Sequence, residues 1–265
     1  MQTLLTFIAG ALAVGLGDPV KPDDFDRCEK GRGVAALEAC DRIISAGERN
    51  GKYAGWYIKM RGMVHFRNNQ YERAIKDFDI LVRHVSHDAH LFMIRGDAYH
   101  LNGQFDQAIS DYSAVIRLDP QNIRAYYNRA ITHRKQQKYQ LAIHDFDGII
   151  ELKPGDARAY QNRGHIFLRL GEAENALPDF KRAVTLAPQD FDVHHSLGEG
   201  YYYAGEFDTA RDTWQKSCKL LSPEVTKTWQ TRLSKAGHYT QAVDGVCDGR
   251  MIEAFTSCAK AKCRF

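Results

Sequence analysis

A spacing of 34 residues recurs along most of this sequence and constrains its fold more than any other feature. Small residues form one column at that spacing: Gly62, Gly96, Ala130, Gly164 and Gly198. Alanine forms a second column: Ala74, Ala108, Ala142, Ala176 and Ala210. Aromatic residues form a third: Phe78, Tyr112, Phe146, Phe180 and Trp214. A proline lies eight residues after each of the middle three aromatic residues, at Pro120, Pro154 and Pro188. Five copies in register predict a repeat array, in which each unit contacts its neighbours.

These columns resemble the tetratricopeptide repeat, a helix-turn-helix unit with small residues where two helices touch, an aromatic residue between them and a closing proline. The resemblance covers residues 55–224 and implies five repeats: 55–88, 89–122, 123–156, 157–190 and 191–224. The implied fold class is all-α, a right-handed α-solenoid of helix-turn-helix repeats with N- and C-terminal helical caps. The second helix of a repeat is predicted to begin at Tyr71, Phe105, Tyr139 or Phe207. Pro178 lies inside the second helix of repeat four and predicts a bend or a late helix start there.

Two charged columns occur together in repeats one to four. Arginine precedes the small residue at Arg61, Arg95, Arg129 and Arg163, and aspartate precedes the aromatic residue at Asp77, Asp111, Asp145 and Asp179. Repeat five has Leu197 and Thr213 at these two positions. Because the two charges are lost together, we expect them to pair as bidentate contacts between the helices of one repeat. They are therefore not candidate ligand-binding residues.

The first residues predict export. Residues 4–17 form an apolar run that is too short to span a bilayer and has the length of a signal-peptide core, although no Lys or Arg precedes it. We therefore expect a signal peptide at 1–17 and a linker with a capping helix at 18–54. The predicted location is a bacterial periplasm or the cell exterior.

Cysteines occur at the two ends of the chain and not in the interior of the array: Cys28, Cys40, Cys218, Cys247, Cys258 and Cys263. An even number predicts disulfides and an oxidising compartment. Zinc is the alternative, but the sequence has no CxxC pair. A Cys28–Cys40 bond would pin the N-terminal cap. Six cysteines allow 15 pairings, so a Cys218–Cys247 bond with Cys258–Cys263 is one possibility among several.

The resemblance implies that the first helices of the repeats line a concave groove that binds peptides or protein segments. The predicted groove residues are Trp56, Lys59, His90, Met93, Asp97, Arg124, Tyr127, Asn128, Ile131, Arg158, Gln161, Asn162, His165, Asp192 and His195. Arg124 with Asn128, and Arg158 with Asn162, form the strongest patch and favour an acidic partner. A solvated face without a ligand is the alternative. The chaperone-tail clamp of the family is excluded, because no three consecutive repeats supply its residues.

The sequence offers no catalytic motif, so we expect no enzyme, no cofactor and no metal. It contains no nucleophile elbow, phosphate-binding glycine loop or HExxH motif. His84, His87 and His90 fall across a turn between repeats, and His194 and His195 should point to different sides of one helix. The net charge of +3 is too small to indicate nucleic-acid binding.

Residues 225–265 follow a different pattern. The skeleton Gln230, Leu233, Gly237, Tyr239, Asp244 and Gly245 resembles the small helical peptidoglycan-binding module of bacterial wall proteins. Cys247 and Cys258 stand where that module has aromatic residues, so a disulfide would compensate for a weakened core. The tail is predicted either to dock on peptidoglycan or to serve only as a cap.

Three functions remain open from the sequence. The first is a non-catalytic exported scaffold or adaptor that binds a protein segment in its groove. The second is an envelope polysaccharide-binding protein with the repeats as a spacer. The third is an accessory subunit of a secretion or wall-remodelling enzyme. No integral membrane segment is expected after signal cleavage.

Overall fold

The structure is a computed structural model that describes residues 19–50, 54–85 and 87–262. The predicted signal peptide and Cys263 lie outside these ranges. The described residues form α-helices, one short 3-10 helix and the segments that join them, without a strand, which confirms the all-α class. None of the described helices combines the length and apolar character that a membrane span requires. The chain divides into two compact units, residues 1–125 and 126–265.

The first unit consists of consecutive helices that each contact the next. Their bounds are α1 (Asp24–Lys30), α2 (Gly33–Asn50), α3 (Ala54–Arg67), α4 (Tyr71–His84), α5 (Ala89–Leu101) and α6 (Phe105–Leu118). The hairpins α3–α4 and α5–α6 are the first two repeats. Their second helices begin at Tyr71 and Phe105, as predicted from the repeat columns.

The second unit contains the remaining helices, and its boundary falls in the first turn of α7. Their bounds are α7 (Ile123–Lys135), α8 (Tyr139–Leu152), α9 (Ala157–Leu170), α10 (Ala173–Leu186), α11 (Phe191–Tyr203), α12 (Phe207–Ser217), α13 (Pro223–Lys235) and α14 (Gly249–Lys260). A 3-10 turn at Cys218–Leu220 follows α12. Helix α10 starts at Ala173 and continues through Pro178, so the predicted late start is wrong.

A glycine facing an aromatic ring sets the distance between the two helices of a hairpin. A Cβ atom on Gly62 would lie 2.6 Å from Phe78 Cε1, and one on Gly164 would lie 2.7 Å from Phe180 Cε1. Real Cβ atoms do not approach that closely, so a side chain on either glycine would require the ring or the helix to shift. The small-residue column and the aromatic column therefore serve helix packing, as the sequence predicted.

The arginine and aspartate columns pair as predicted. Within each of repeats one to four, arginine Nε and Nη2 both donate to the carboxylate sixteen positions later. The Nη2–Oδ1 distance is 2.6 Å in Arg129–Asp145 and 2.7 Å in Arg163–Asp179. Asp145 is 1% exposed, so its charge depends on the guanidinium for compensation. Arg163 also donates to Asp147 of the preceding repeat, a contact that the columns do not predict.

One disulfide lies near each end of the described part of the chain. Cys28–Cys40 joins α1 to α2, and Cys218–Cys247 joins the end of α12 to the loop before α14. Cys258 is disulfide-bonded as well, and its predicted partner Cys263 lies outside the described residues. The N-terminal cap is further held by Arg42, which donates to the fully buried Asp24 through Nε and Nη2.

The C-terminal tail shares one core with repeat five. Phe255 of α14 contacts the rings of Phe191, Trp214 and Trp229, and it is 1% exposed. Tyr203 of α11 donates to the carbonyl of Ala259 over 2.9 Å. The tail therefore caps the last helical hairpin, which is one of the two roles predicted for it.

We expect Arg129→Met to lower the free energy of unfolding by about 3 kcal/mol, because Asp145 would keep a buried charge without its partner. Urea unfolding followed by circular dichroism measures this loss. Arg182→Met on the exposed surface of α10 is the matched control and should change stability by less than about 0.5 kcal/mol. Equal stabilities of the two variants would contradict the structural role of the ion pair.

Replacing Cys218 and Cys247 together by serine should lower the free energy of unfolding by about 3 kcal/mol, because the bond closes a 29-residue loop and restricts the unfolded chain. Urea unfolding without reductant, followed by tryptophan fluorescence, gives the value. A double variant as stable as the wild type would show that the bond does not stabilise the tail.

Candidate functional site

The predicted groove residues of the first unit differ in their exposure to solvent. Trp56 is 52% exposed, His90 is exposed and Lys59 is half-buried. Met93 is 6% exposed and belongs to the core that α5 forms with α6, so its assignment to the groove is wrong. The 34-residue period does not by itself separate a core-facing position from its surface neighbour.

Arg124 is exposed but paired. Its Nη2 donates to Asp97 Oδ2 over 2.7 Å, and the same carboxylate accepts a hydrogen bond from the buried Tyr112 hydroxyl over 2.9 Å. Asp97, also a predicted groove residue, thus neutralises the cation that was expected to attract an acidic partner. The predicted pair of Arg124 and Asn128 is for this reason a weaker anion site than the sequence indicates.

Several predicted residues of the second unit have structural contacts. The Tyr127 hydroxyl donates over 2.8 Å to Asp156, which caps α9, and the Asn162 amide donates over 2.8 Å to the carbonyl of Arg158. Arg158 of α9 is exposed. Two other predicted groove residues, Asn128 and Ile131 of α7, are half-buried.

Gln161 and His165, by contrast, line a cavity of about 590 Å³ in the second unit. Its walls come chiefly from α9, α11 and α13, and we call it the histidine–glutamate cavity. Polar side chains of α9 and α11 line it: Gln161, His165, Asp192, His195, Ser196 and Glu199. Four cationic side chains also line it: Arg134, Arg169, Arg232 and Lys262. The sequence analysis placed Gln161, His165, Asp192 and His195 on this surface, and the structure brings them together.

A hydrogen-bond network fixes the orientation of His165. The Ser196 oxygen accepts from Gln161 Nε2 at 2.9 Å and lies 3.0 Å from His165 Nε2 and 2.8 Å from the carbonyl oxygen of Asp192. The Ser196 proton is shared between two acceptors, so these contacts hold the His165 ring in place without fixing its tautomer. His165 Nδ1 lies 3.8 Å from Glu199 Oε2.

His195 forms the inner wall of the cavity. Its side chain is 9% exposed and lies among the rings of Phe191, Trp229 and Phe255. His195 Nε2 is 3.7 Å from Glu199 Oε1, while its Nδ1 is buried without a hydrogen-bond partner. The neighbouring His194 contacts the carbonyl of Pro188, so the two histidines do point to different sides, as predicted.

Burial changes the protonation of these three groups. Desolvation raises the pKa of Glu199 to about 7, although Arg169 opposes the shift. Desolvation, together with Arg134 and Arg169, lowers the pKa of His165 to about 4. Desolvation and His165 lower the pKa of His195 to about 3. At neutral pH the cavity thus holds two neutral imidazoles and a carboxyl group that is about half protonated.

Ser196, His165 and Glu199 have the residue types of a nucleophilic triad, but their arrangement does not fit that chemistry. A triad needs a carboxylate hydrogen-bonded to the second ring nitrogen of the histidine, but Glu199 Oε2 lies 3.8 Å from His165 Nδ1. Ser196 is 2% exposed and lies within α11, whose interior N–H groups donate to helix carbonyls and cannot form an oxyanion hole. The arrangement supports binding and not acyl transfer.

Glu199, Ser196 and the cations at the rim were missed in the sequence. A signal was present, since Glu199 occupies the same repeat column as His165, one position after the glycine and 34 residues later. Equivalent positions in consecutive first helices lie on one surface of an array. Arg232 and Lys262 had no such signal, because the tail lies outside the repeat. Among the described residues no group of three His, Cys, Asp or Glu could hold a metal ion.

Four of the six motif residues of the tail are buried, whereas Gly237 and Asp244 are exposed. Gln230 is fully buried; its Nε2 contacts Tyr239 Oη at 3.0 Å and Asp244 Oδ1 at 2.8 Å, and its Oε1 accepts from Gly245 N at 2.9 Å. Leu233 is fully buried, and Gly237 ends the turn after α13 with a positive φ of 79°. This motif therefore builds the fold of the tail.

The helical hairpins agree with comparisons to known families. The family described as TPR repeat matches residues 96–137, and the family described as tetratricopeptide repeat matches residues 127–191. The chain therefore contains tetratricopeptide repeats. No curated protein matches the sequence.

The chain is also similar to solved structures of repeat proteins. MamA protein has 19% identity over 71% of this chain and 96% of its own, with a TM-score of 0.58. MamA 41-end from Desulfovibrio magneticus RS-1 has 23% identity over 63% and 94%, with a TM-score of 0.57. YrrB, described as a TPR protein with an unusual peptide-binding site, has 19% identity over 68% and 93%, with a TM-score of 0.55. At these identities the likeness concerns the fold alone.

Glu199→Gln should stabilise the protein at pH 8 by about 3 kcal/mol and leave it unchanged at pH 4. The unfolded chain releases the Glu199 proton near pH 4.5 and the folded chain near pH 7, so the wild type loses stability as pH rises through that window. His165 and His195 act in the opposite direction, below pH 6.5. Urea unfolding at both pH values measures the difference, with Glu253→Gln on the exposed surface of α14 as control. Equal stabilities at pH 8 would show that Glu199 ionises normally.

Proposed function

We propose that this protein is a non-catalytic scaffold that binds an acidic segment of another protein in the histidine–glutamate cavity. The observation that carries the proposal is the charge around the cavity. Arg134, Arg169, Arg232 and Lys262 line it, whereas Asp192 and the partly protonated Glu199 are the carboxyl groups among its described lining residues. A cationic concavity raises the local concentration of anionic ligands and binds carboxylates by charge-assisted hydrogen bonds.

The fold supports a role in protein interaction. Tetratricopeptide arrays are interaction scaffolds, and one of the similar structures is described as having a peptide-binding site. The cavity volume of about 590 Å³ is in the range of pockets for small ligands, which suits a short segment and not a whole domain. We therefore expect the partner to present a short segment with carboxylate groups.

The proposed site differs from the patch favoured by the sequence. That patch relied on Arg124 and Arg158, but Arg124 is paired with Asp97. The histidine–glutamate cavity keeps the acidic partner and changes the residues that bind it. Gln161 and His165 belong to both versions of the site.

Export remains part of the proposal. The disulfides Cys28–Cys40 and Cys218–Cys247 support an oxidising compartment, such as a bacterial periplasm or the cell exterior. Docking of the tail on peptidoglycan remains a prediction from resemblance. Gln230, Leu233, Tyr239 and Gly245 of its motif are buried, and the exposed Asp244 is hydrogen-bonded to Gln230 and Arg250, so the motif gives no separate support for glycan binding.

The test uses the full chain and a rhodamine-labelled hexaglutamate peptide in a fluorescence anisotropy titration at pH 6. Arg169→Gln combined with Arg232→Gln should weaken binding at least about tenfold, a loss of about 1.4 kcal/mol. Arg182→Gln combined with Arg211→Gln, on exposed surfaces of α10 and α12, removes the same net charge as a matched control. Equal weakening by both pairs would show that only net charge matters and would refute the site.

A further inference from the structure

We propose that the histidine–glutamate cavity takes up one proton together with its carboxylate ligand, and that Glu199 holds this proton. The inference rests on the proposed function and adds how binding at that site is regulated. The Glu199 side chain lines the cavity and is 21% exposed. His165 Nδ1 lies 3.8 Å from its Oε2, and His195 Nε2 lies 3.7 Å from its Oε1.

Neither imidazole offers Glu199 a formal positive charge. His165 Nδ1 lies 3.8 Å from Glu199 Oε2 and His195 Nε2 lies 3.7 Å from Glu199 Oε1, so neither nitrogen is within hydrogen-bond distance of the carboxyl group. Burial keeps the His165 imidazole neutral at neutral pH. His195 lies among aromatic rings, which disfavour its charged form. Neither imidazole therefore compensates a negative charge on Glu199, and burial favours its neutral form.

The other charged and titratable groups facing this cavity come from every element around it. The cations are Arg134 of α7, Arg169 of α9, Arg232 of α13 and Lys262 after α14. The remaining groups are Tyr139 of α8 and Asp192 and Tyr203 of α11. Arg169 favours the ionised form of Glu199, but burial outweighs it. A ligand carboxylate bound by these cations would partly cancel their field at Glu199.

Ligand binding and protonation are then linked. A second negative charge beside Glu199 raises the free energy of its carboxylate form, so the bound state holds the proton to higher pH than the free state. The proton can be donated to the ligand carboxylate, forming a short hydrogen bond between the two carboxyl groups. Above the pKa of free Glu199, binding must include proton uptake, and affinity must fall as pH rises.

The test measures the Kd of the rhodamine-labelled hexaglutamate peptide at fixed ionic strength between pH 6 and pH 8.5, a range in which its side chains remain ionised. For the wild type we expect Kd to rise about 30-fold, because one linked proton gives a tenfold change per pH unit above a pKa of about 7. Glu199→Gln cannot ionise and should bind across this range with the affinity that the wild type has at pH 6.

Glu253→Gln is the matched control and should keep the wild-type slope. Titration calorimetry at pH 8 in buffers of different ionisation enthalpy provides a second readout. It should show uptake of about one proton by the wild type and none by Glu199→Gln. Circular dichroism verifies that the variant is folded.

Three outcomes would overturn the inference. If the wild type binds the peptide with a Kd that does not depend on pH, binding and protonation are not linked. A full pH slope in folded Glu199→Gln assigns the proton to another group. Absence of binding by the wild type at every pH refutes the proposed function, and the inference with it, and so differs from the first two outcomes.

Discussion

Close packing of a small residue beside an aromatic ring governs the rest of this structure. Gly62 lies against Phe78 and Gly164 against Phe180 so closely that a Cβ atom would overlap the ring, and repeat three has the buried Ala130 in the same column. Close helix packing buries the aspartate next to the aromatic residue in each of these repeats. A buried carboxylate needs a compensating charge, and the arginine beside the glycine supplies it in bidentate geometry. Helix packing and charge pairing therefore act together. A change in the arginine column or in the aspartate column alone would lower stability.

The candidate site lies where this pattern is interrupted. Repeat five lacks the arginine and the aspartate and has Trp214 in the aromatic column. The Trp214 indole donates to the carbonyl of His195, and the tail covers the hairpin with Phe255 and Trp229. Aromatic packing replaces the ion pair there. His195 and Glu199 of repeat five lie beside this aromatic packing, and Glu199 has Arg169 as its compensating charge, without a bidentate contact between these two described residues.

The sequence predicted more of the fold than of the site. The starts of the second helices and the four arginine–aspartate pairs follow from the columns, because each depends on contacts inside one repeat. Met93 was misplaced because adjacent positions on a helix can face the core or the solvent, and the period does not distinguish them. Arg124 was misjudged because its partner, Asp97, belongs to the preceding repeat. Contacts between repeats depend on how successive hairpins stack.

The sequence by itself determined that the chain folds into tetratricopeptide hairpins, because a 34-residue period of small and aromatic residues permits close helix packing at only one register. Only the tertiary structure decided which polar residues meet. His165, Ser196 and Glu199 come from two repeats, and Arg232 and Lys262 come from the tail, so no local pattern relates them. Their shared environment also decides their protonation, since the same carboxyl group would be ionised at neutral pH on an exposed helix.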